Sequence, residues 1–197
     1  MKDKYYGDNR DLIKWGGIVH LCKKTGIKDI LQIAYYRVTD WPAIQFKGRE
    51  VPMPDEVQSH FKDIADIKRL GKRLGLQIHV YGEDFASCNR QQYHNRLSKL
   101  IANQKTRKCV FLDPDTGIGV KSRKAEHVRP EEISSIWQAM KCQDYLVLYQ
   151  HGCRDTNWQS KRKTELAEAL NIDANSVMHW AAPRIASDVV FFFCEKK

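Results

Sequence analysis

The sequence has no run of apolar residues long enough to cross a bilayer, which takes about 18 or more. Its opening stretch, MKDKYYGDNRD, is charged and lacks the apolar core of a signal peptide. The six cysteines contain no Cys-x-x-Cys pair, which argues against a zinc site or a disulfide framework. Repeats and low-complexity segments are also missing. These absences predict a cytoplasmic protein with reduced thiols and no membrane association.

What is present describes one globular domain with an excess of basic residues. The 197 residues are enough to bury a core without a metal or disulfide, and no linker divides them, so we expect a single domain over 1–197. Lys and Arg number 33 against 24 Asp and Glu, a net charge of +9. This excess favours an anionic partner, most commonly nucleic acid, although solubility alone would also explain it.

Helix-like and strand-like stretches alternate along the chain. Apolar spacing predicts helices over 9–24, 56–74, 91–104, 130–140 and 158–170. Compact apolar runs predict strands over 29–36, 76–82, 108–113, 144–150, 176–182 and 188–194, and the last two are close enough to form an antiparallel hairpin. Residues 37–55, with three prolines and Gly48, predict a long irregular loop. The fold class expected is three-layer α/β, with a mainly parallel sheet and a C-terminal antiparallel hairpin.

The strongest candidate site is the segment Asp-Pro-Asp-Thr-Gly-Ile-Gly at 113–119, which directly follows a buried strand. Ligands of open α/β sheets bind beyond such strand ends. Asp113 and Asp115 could hold Mg²⁺, or Asp113 and the backbone beside Pro114 could accept hydrogen bonds from an amino group of a base. Gly117 would let a ligand approach the main chain closely. A plain tight turn is the alternative, because Pro, Asp, Thr and Gly all form turns.

A second candidate site is the loop after the strand 144–150. His151 is placed to act as a general base or to contact phosphate, and Arg154 is a natural phosphate clamp. The alternative is a polar connection in which Asp155 or Thr156 caps the next helix. Cys153 is a poor candidate nucleophile, because the sequence assigns no base to it.

A third candidate site involves the N-terminal segment 5–11 and two further strand ends. Asp8 and Asp11 have the spacing of a reciprocal helix cap; alternatively, this segment folds over the strand ends and adds an acid or an aromatic wall. Tyr35 ends the first strand, and Glu83 follows the second, where an acid would bind ribose hydroxyls of a nucleotide. Tyr35, Glu83 and Gly117 are therefore the candidate cofactor-binding residues.

Basic residues follow two of these sites. The candidates for phosphate contacts are Lys121, Arg123 and Lys124 after the first site, and Arg154, Lys161, Arg162 and Lys163 after the second. Basic runs are usually just solvated surface, but two runs beside two candidate sites favour a nucleic acid held next to the chemistry. Trp41 and Phe46 could stack on bases or fill the core.

The order of elements over 76–197 resembles the C-terminal half of Rossmann-like S-adenosylmethionine-dependent methyltransferases. The shared features are a strand ending FLDPD, then helix, strand, helix and a terminal hairpin. The Asp113-Pro114 turn resembles the Asp-Pro-Pro-Tyr motif of members that methylate exocyclic amino groups in DNA or RNA. The resemblance implies S-adenosylmethionine as cofactor and Asp113 as acceptor of the target amine. The sequence departs from the family in two places. Residues 115 and 116 are not aromatic, so the family's base-stacking residue has no counterpart, and the segment DILQIAYYRVTD contains no glycine, although the family's glycine-rich cofactor loop follows its first strand.

Two other functions compete with methyl transfer. A Mg²⁺-dependent nuclease would hold its metal with Asp113 and Asp115, helped by Glu83 or Asp8, while His151 or a lysine assists the attack of water. The Asp-Pro-Asp-x-x-Gly pattern is also similar to the metal-binding strand end of toprim domains. The third alternative is a catalytically inactive domain that only binds nucleic acid. The leading prediction is a nucleic-acid-directed enzyme of methyltransferase-like fold that methylates a base amine.

Overall fold

The computed structural model describes residues 7–37, 43–119 and 124–197. Six α-helices lie in this part of the chain: α1 (Asn9–Thr25), α2 (Asp55–Lys62), α3 (Lys68–Leu74), α4 (Arg90–Asn103), α5 (Pro130–Ala139) and α6 (Trp158–Leu170). The main sheet contains β1 (Asp29–Ile33), β4 (Gln77–Tyr81), β5 (Lys108–Leu112), β8 (Tyr145–His151), β9 (Met178–Ala182) and β10 (Ala186–Glu195). Two small pairs stand apart, β2 (Ile44–Phe46) with β3 (Arg49–Val51) and β6 (Gly117–Ile118) with β7 (His127–Val128).

The strands of the main sheet follow the order β4-β1-β5-β8-β10-β9. The first four are parallel, whereas β10 is antiparallel to both of its neighbours. This arrangement confirms the predicted Rossmann-like fold, with a mainly parallel sheet and a C-terminal antiparallel hairpin. After β1 the chain forms β4, which pairs with one edge of β1, and then β5, which pairs with the other edge. The strand order therefore reverses at β1, and a crevice at the carboxyl ends of β1 and β5 is the expected ligand position.

Helices cover both faces of the sheet. On one face, α1 buries Ile18 and Leu21 against Phe111 and Phe191 of the sheet. On the other face, α4, α5 and α6 enclose a larger core that includes Leu97, Ile133 and Leu166. All five residues of β5 are buried; the last four are apolar, as expected for a central parallel strand, and Lys108 at its start pairs with the buried Asp144 at 3.4 Å. No helix within the described ranges is long and apolar enough to cross a membrane.

The predicted single helix over 56–74 is wrong, because Asp63 interrupts it. Asp63 has a non-helical backbone (φ −76°, ψ 78°), and its carboxylate accepts a hydrogen bond from the Ala65 N–H at 3.1 Å. That bond caps a 3₁₀ turn over Ile64–Ile67, which separates α2 from α3. Asp commonly competes with helix continuation in this way, by offering the backbone a local side-chain partner.

The segment 37–55, predicted to be irregular, contains the β2–β3 hairpin. Lys47 and Gly48 form its turn with φ of 51° and 76°, the two left-handed conformations that a tight hairpin turn requires. Phe46 is 62% exposed, so it does not fill the core. Trp41 of the same segment lies outside the described residues.

Candidate active site

A cleft of about 410 Å³ lies at the carboxyl ends of β5 and β8. Four parts of the chain line it: the start of α1, the segment that directly follows β5, Glu126 just before β7, and the end of β8. The lining side chains are Asp8, Arg10, Asp11, Lys14, Asp113, Pro114, Asp115, Thr116, Glu126, Tyr149 and His151. The structure thus brings the start of α1 together with Asp113, Asp115 and His151, but not with Tyr35 or Glu83.

The first turn of α1 is fixed by Asp8, which caps the helix. Its carboxylate accepts hydrogen bonds from the backbone N–H of Arg10 at 2.8 Å and of Asp11 at 3.1 Å. The predicted capping role of Asp8 is confirmed, and the same cap aims the next turn of the helix at the cleft. Asp8 and Asp11 also line the cleft, which is the position that the alternative interpretation of this segment required. Tyr5 and Tyr6 lie outside the described residues.

Lys14 forms the buried centre of the site, with only 3% of its surface exposed. Its ammonium donates to the Asp11 carboxylate and to Asp113 Oδ2, the latter at 2.9 Å. Burial opposes the charge on Lys14, but the two carboxylates outweigh it and raise the pKa of the ammonium above its ordinary value. Lys14 is therefore a permanent cation between two acids at neutral pH.

The Asp113 carboxylate is held asymmetrically. Gln32 Nε2 donates to the same Oδ2 atom at 2.8 Å, so both side-chain hydrogen bonds that Asp113 accepts among the described residues end on that oxygen. Asp113 nevertheless lines the cleft. Its Oδ1 atom is therefore left as an acceptor for a ligand, on a carboxylate whose orientation is already fixed.

The space beside Gly117, predicted to admit a ligand, is filled by the Gln150 side chain. Gly117 has a left-handed φ of 98°, and a Cβ atom there would lie 2.2 Å from Gln150 Oε1. That Oε1 accepts from the Ile118 N–H at 2.9 Å, and Gln150 Nε2 donates to the Thr116 carbonyl at 2.9 Å. Gln150 thus locks the turn after Asp113. This role could have been predicted from the sequence, because a glutamine inside the otherwise apolar strand LVLYQ must find hydrogen-bond partners when it is buried.

Asp115 takes a different partner from Asp113, although both line the cleft. Its carboxylate forms an ion pair with Arg37, beyond the end of β1. The neighbouring Thr116 hydroxyl lies 2.6 Å from His127 Nδ1 and 2.8 Å from the Glu126 carbonyl. Burial lowers the pKa of His127, which favours the neutral ring. The partners shown for the two aspartates therefore differ, with Lys14 and Gln32 bonded to Asp113 and Arg37 paired with Asp115.

Arg10, His151 and Asp188 meet at the mouth of the cleft. Asp188 accepts a hydrogen bond from Arg10, and His151 Nδ1 lies 3.8 Å from Asp188 Oδ2. The Tyr149 hydroxyl lies 3.3 Å from the same His151 nitrogen. Burial works against the charge on Asp188, but the hydrogen bond from Arg10 prevails and lowers the pKa of the carboxyl. That bond also raises the pKa of Arg10, and burial raises the pKa of Tyr149.

The three candidate cofactor-binding residues lie elsewhere. Tyr35 is 1% exposed, with a φ of 44°, and packs on the rings of Phe85 and Tyr93. Glu83 is exposed and forms an ion pair with Arg96 at 2.7 Å. Gly117 is covered by Gln150. None of these three described residues lines the cleft, so the structure does not bring the predicted cofactor-binding residues together there.

The described residues do not fit the predicted Mg²⁺ site either. Within 7–37, 43–119 and 124–197, no three His, Cys, Asp or Glu side chains are placed to hold a metal ion. The buried Lys14 ammonium already lies between Asp11 and Asp113 and bonds to both. A divalent cation would have to displace that ammonium, and Asp115 is paired with Arg37. We therefore derive no metal-dependent step.

Five of the seven predicted phosphate-contacting residues can be placed. Lys124, Arg154 and Lys161 are exposed, and Lys161 lies 3.8 Å from Asp155. Arg162 pairs with Glu165 at 2.6 Å on α6, next to the half-buried Lys163. Lys121 and Arg123 lie outside the described residues. Their contact with phosphate stays a prediction.

Sequence reasoning missed Lys14, Gln32, Arg10 and Asp188. Lys14 lies on a helix whose apolar face was recognised, but a lysine there is normally expected to point to solvent. Gln32 is a polar residue inside an apolar strand, which was a usable signal. Arg10 and Asp188 lie 178 residues apart, and only the fold shows that they meet.

No family model matches the chain, and no curated protein matches it. Among solved structures, it is similar to the crystal structure of a DUF574 family protein from Streptomyces avermitilis. That similarity covers 96% of this chain and 82% of the other, at 11% sequence identity and a TM-score of 0.42. A likeness of this size says nothing about activity. The fold and cleft define a class, a Rossmann-like α/β protein with a polar site at its strand ends.

Proposed function

We propose that this protein is a nucleic-acid-directed enzyme of methyltransferase-like fold, whose cleft receives an exocyclic amino group of a base. Methyl transfer to that amine is the reaction we propose for it. The observation that carries the proposal is the asymmetric Asp113 carboxylate. Lys14 and Gln32 fix its Oδ2 atom, and its Oδ1 atom is left to accept an N–H from a ligand.

The charge of the cleft supports an amino group rather than a phosphate as the group bound inside it. Among the lining side chains the acids are Asp8, Asp11, Asp113, Asp115 and Glu126, against the cations Arg10 and Lys14. Both cations are already paired with carboxylates. An N–H donor is therefore favoured inside the cleft, while Lys124, Arg154 and Lys161 are exposed outside its lining, where the phosphates of a nucleic acid would be contacted.

The residues in and beside the cleft each have a defined part in this proposal. Asp113 accepts a hydrogen bond from the amine. Lys14 and Gln32 set the orientation of its carboxylate in advance, so ordering this side chain costs little free energy when substrate binds. Pro114 has no N–H to compete for the carboxylate and lines the cleft beside it. Tyr149 and His151 line the cleft at the end of β8. S-adenosylmethionine would supply the methyl group and leave as S-adenosylhomocysteine, while the proton lost by the amine would pass to solvent; its binding is a separate point of the test.

The amine is tested with oligonucleotides that differ only in one exocyclic group. Adenine against hypoxanthine and cytosine against uracil are the matched pairs, with binding followed by fluorescence anisotropy. We expect the amine-bearing oligonucleotides to bind roughly tenfold more tightly, as for one charge-assisted hydrogen bond. Asp113→Asn should abolish that preference, because an amide that accepts from Lys14 and Gln32 presents its NH₂ to the cleft. Asp173→Asn, in a turn far along the chain, is the matched control.

Methyl transfer is tested separately, with S-adenosylmethionine labelled in its methyl group. We expect label to enter the preferred oligonucleotide with the wild-type protein and not with Asp113→Asn. If the adenine and hypoxanthine oligonucleotides bind equally tightly, and the cytosine and uracil oligonucleotides do too, recognition of the amine is overturned. Preference for the amine without incorporation of label, and without heat on titration with S-adenosylmethionine, would overturn methyl transfer alone.

A further inference from the structure

The strand β9 ends the sheet and leaves one edge open. It pairs with β10, with Trp180 opposite Phe191 and Met178 opposite Phe193. Among the described residues no strand pairs with its other edge. Backbone N–H and C=O groups along such an edge can pair with a strand from another chain. β9 is five residues long and has no proline, so nothing in its sequence prevents this pairing.

An apolar groove of about 840 Å³ lies between this strand and α1. Leu12, Met178 and Ile185 line it, and they are 63%, 47% and 43% exposed. Three large apolar side chains exposed around one groove are typical of an interaction surface. Leu12 also shares one face of α1 with Gly16 and His20, because the three are spaced four residues apart.

The shape of the groove follows from two adjacent glycines. At Gly17, the helix touches β9 so closely that a Cβ atom would lie 2.1 Å from the Trp180 ring. At Gly16, a Cβ atom would meet nothing within 4 Å. The contact at Gly17 therefore anchors α1 to the strand, while the exposed side at Gly16 keeps the groove open.

The far end of the groove is basic. Lys24 and Arg107 line it, and Lys24 forms no ion pair with any described residue. The acid at this end, Glu195, is engaged by Arg107 at 3.5 Å and by the Tyr145 hydroxyl at 3.0 Å. A second copy of this chain carries the same net charge of +9, which does not complement a basic end of the groove. Charge complementarity therefore favours an acidic partner over self-association.

We propose that the groove between α1 and β9 binds an extended segment of another protein that carries apolar residues followed by acidic ones. The segment adds as a strand to the open edge of β9, with apolar side chains near Leu12 and acidic ones near Lys24 and Arg107. Leu12 and Lys24 are about 18 Å apart along the helix axis. About six extended residues span that distance. The proposal is independent of the chemistry at Asp113.

A random 12-residue peptide display library, selected on the full chain, tests this proposal. We expect the enriched peptides to combine apolar residues with an excess of Asp and Glu. Their Kd should rise at least about tenfold on Leu12→Glu or Met178→Glu, which place a charge in the apolar part. Lys24→Glu should favour basic peptides in a repeated selection. N-methylation of alternate peptide amides should weaken binding if the peptide adds as a strand.

Leu100→Glu is the matched control, since Leu100 is an exposed apolar residue on α4, on the other face of the sheet. It should leave peptide binding unchanged. Enriched peptides that bind Leu12→Glu as tightly as wild type, or that show no excess of acids, would overturn the proposal. So would a dimer in sedimentation equilibrium that Leu12→Glu dissociates, because the occupant would then be a second copy. Competition by a single-stranded oligonucleotide for the groove would also overturn it.

Discussion

Lys14 and Asp113 are 99 residues apart in sequence and form a buried ion pair, with Nζ 2.9 Å from Oδ2. The pair joins the second turn of α1 to the end of the central strand β5. It therefore serves two purposes, because it fixes the proposed acceptor carboxylate and attaches the helix to the sheet. Asp11 completes the network by accepting from the same ammonium.

Lys14→Met should destabilise the protein strongly. Removing one partner of a buried ion pair leaves uncompensated charge, which typically costs about 3–5 kcal/mol. Here two carboxylates, Asp11 and Asp113, would lose their shared cation. The free energy of unfolding from urea titration measures the effect. Lys23→Met, an exposed site on the same helix, should change it by less than about 0.5 kcal/mol. Equal effects of the two substitutions would contradict the buried network.

The sheet could be predicted from sequence because its strands are short, apolar and bounded by turns. The run CVFL is apolar throughout because β5 is buried on both faces, and the rule that ligands bind beyond strand ends then predicted a ligand crevice at Asp113. The helix over 56–74 could not be predicted correctly from periodicity alone. Its apolar spacing continues through Asp63, and only the local hydrogen bond to Ala65 breaks it.

The site was predicted in part, since its segments were found but not its pairings. Asp113, Asp115 and His151 do share one cleft, yet Asp113 pairs with Lys14 and Asp115 with Arg37. Which cation meets which carboxylate depends on contacts between residues far apart in sequence. Spacing cannot reveal such contacts. The proximity of the two aspartates in the motif suggested a shared metal, whereas the fold gives them different partners.

Gly117→Ala should destabilise the turn after Asp113. A Cβ atom at this position would lie 2.2 Å from Gln150 Oε1, and alanine strains a φ of 98°. Displaced Gln150 would also release its bond to Ile118 N. We expect a loss of at least about 2 kcal/mol in thermal or urea unfolding. Gly16→Ala on α1 is the control, and should stabilise by up to about 1 kcal/mol because nothing lies near its Cβ. A neutral Gly117→Ala would mean that the turn is not locked.

Arg90→Lys should be destabilising even though it keeps the charge. Arg90 forms a two-pronged pair with Glu132, through Nε at 2.7 Å and Nη2 at 2.6 Å, and joins α4 to α5. It also donates to the carbonyls of Lys124 and His127. A lysine cannot reproduce this planar fork, so we expect a loss of about 1–3 kcal/mol in unfolding free energy.

Arg96→Lys, on the same helix, is the matched control for Arg90→Lys. The Arg96 pair with Glu83 is exposed to solvent, and its substitution should change the free energy of unfolding much less than that of Arg90. If the two substitutions cost the same, the fork geometry at Arg90 would not be what stabilises the contact between α4 and α5.

His94 should make the protein less stable in mild acid. It is buried beside Tyr35 and Tyr93, with Nε2 3.5 Å from Glu132, and burial lowers the pKa of its ring to about 4. In the unfolded chain its pKa is about 6.5. As the pH falls through this window, the unfolded state takes up a proton that the folded state refuses. Stability present above pH 6.5 is therefore lost progressively towards pH 4.

The loss attributable to His94 should reach about 3 kcal/mol between pH 7 and pH 4. Urea unfolding at several pH values measures it, and His94→Leu should flatten the profile because the titrating group is gone. His20→Gln, at an exposed position on α1, should leave the slope as in wild type. A His94→Leu profile as steep as that of wild type would assign the acid sensitivity to carboxylates instead. The slope of the variant, rather than its absolute stability, decides the question, since leucine also changes the packing around Tyr93.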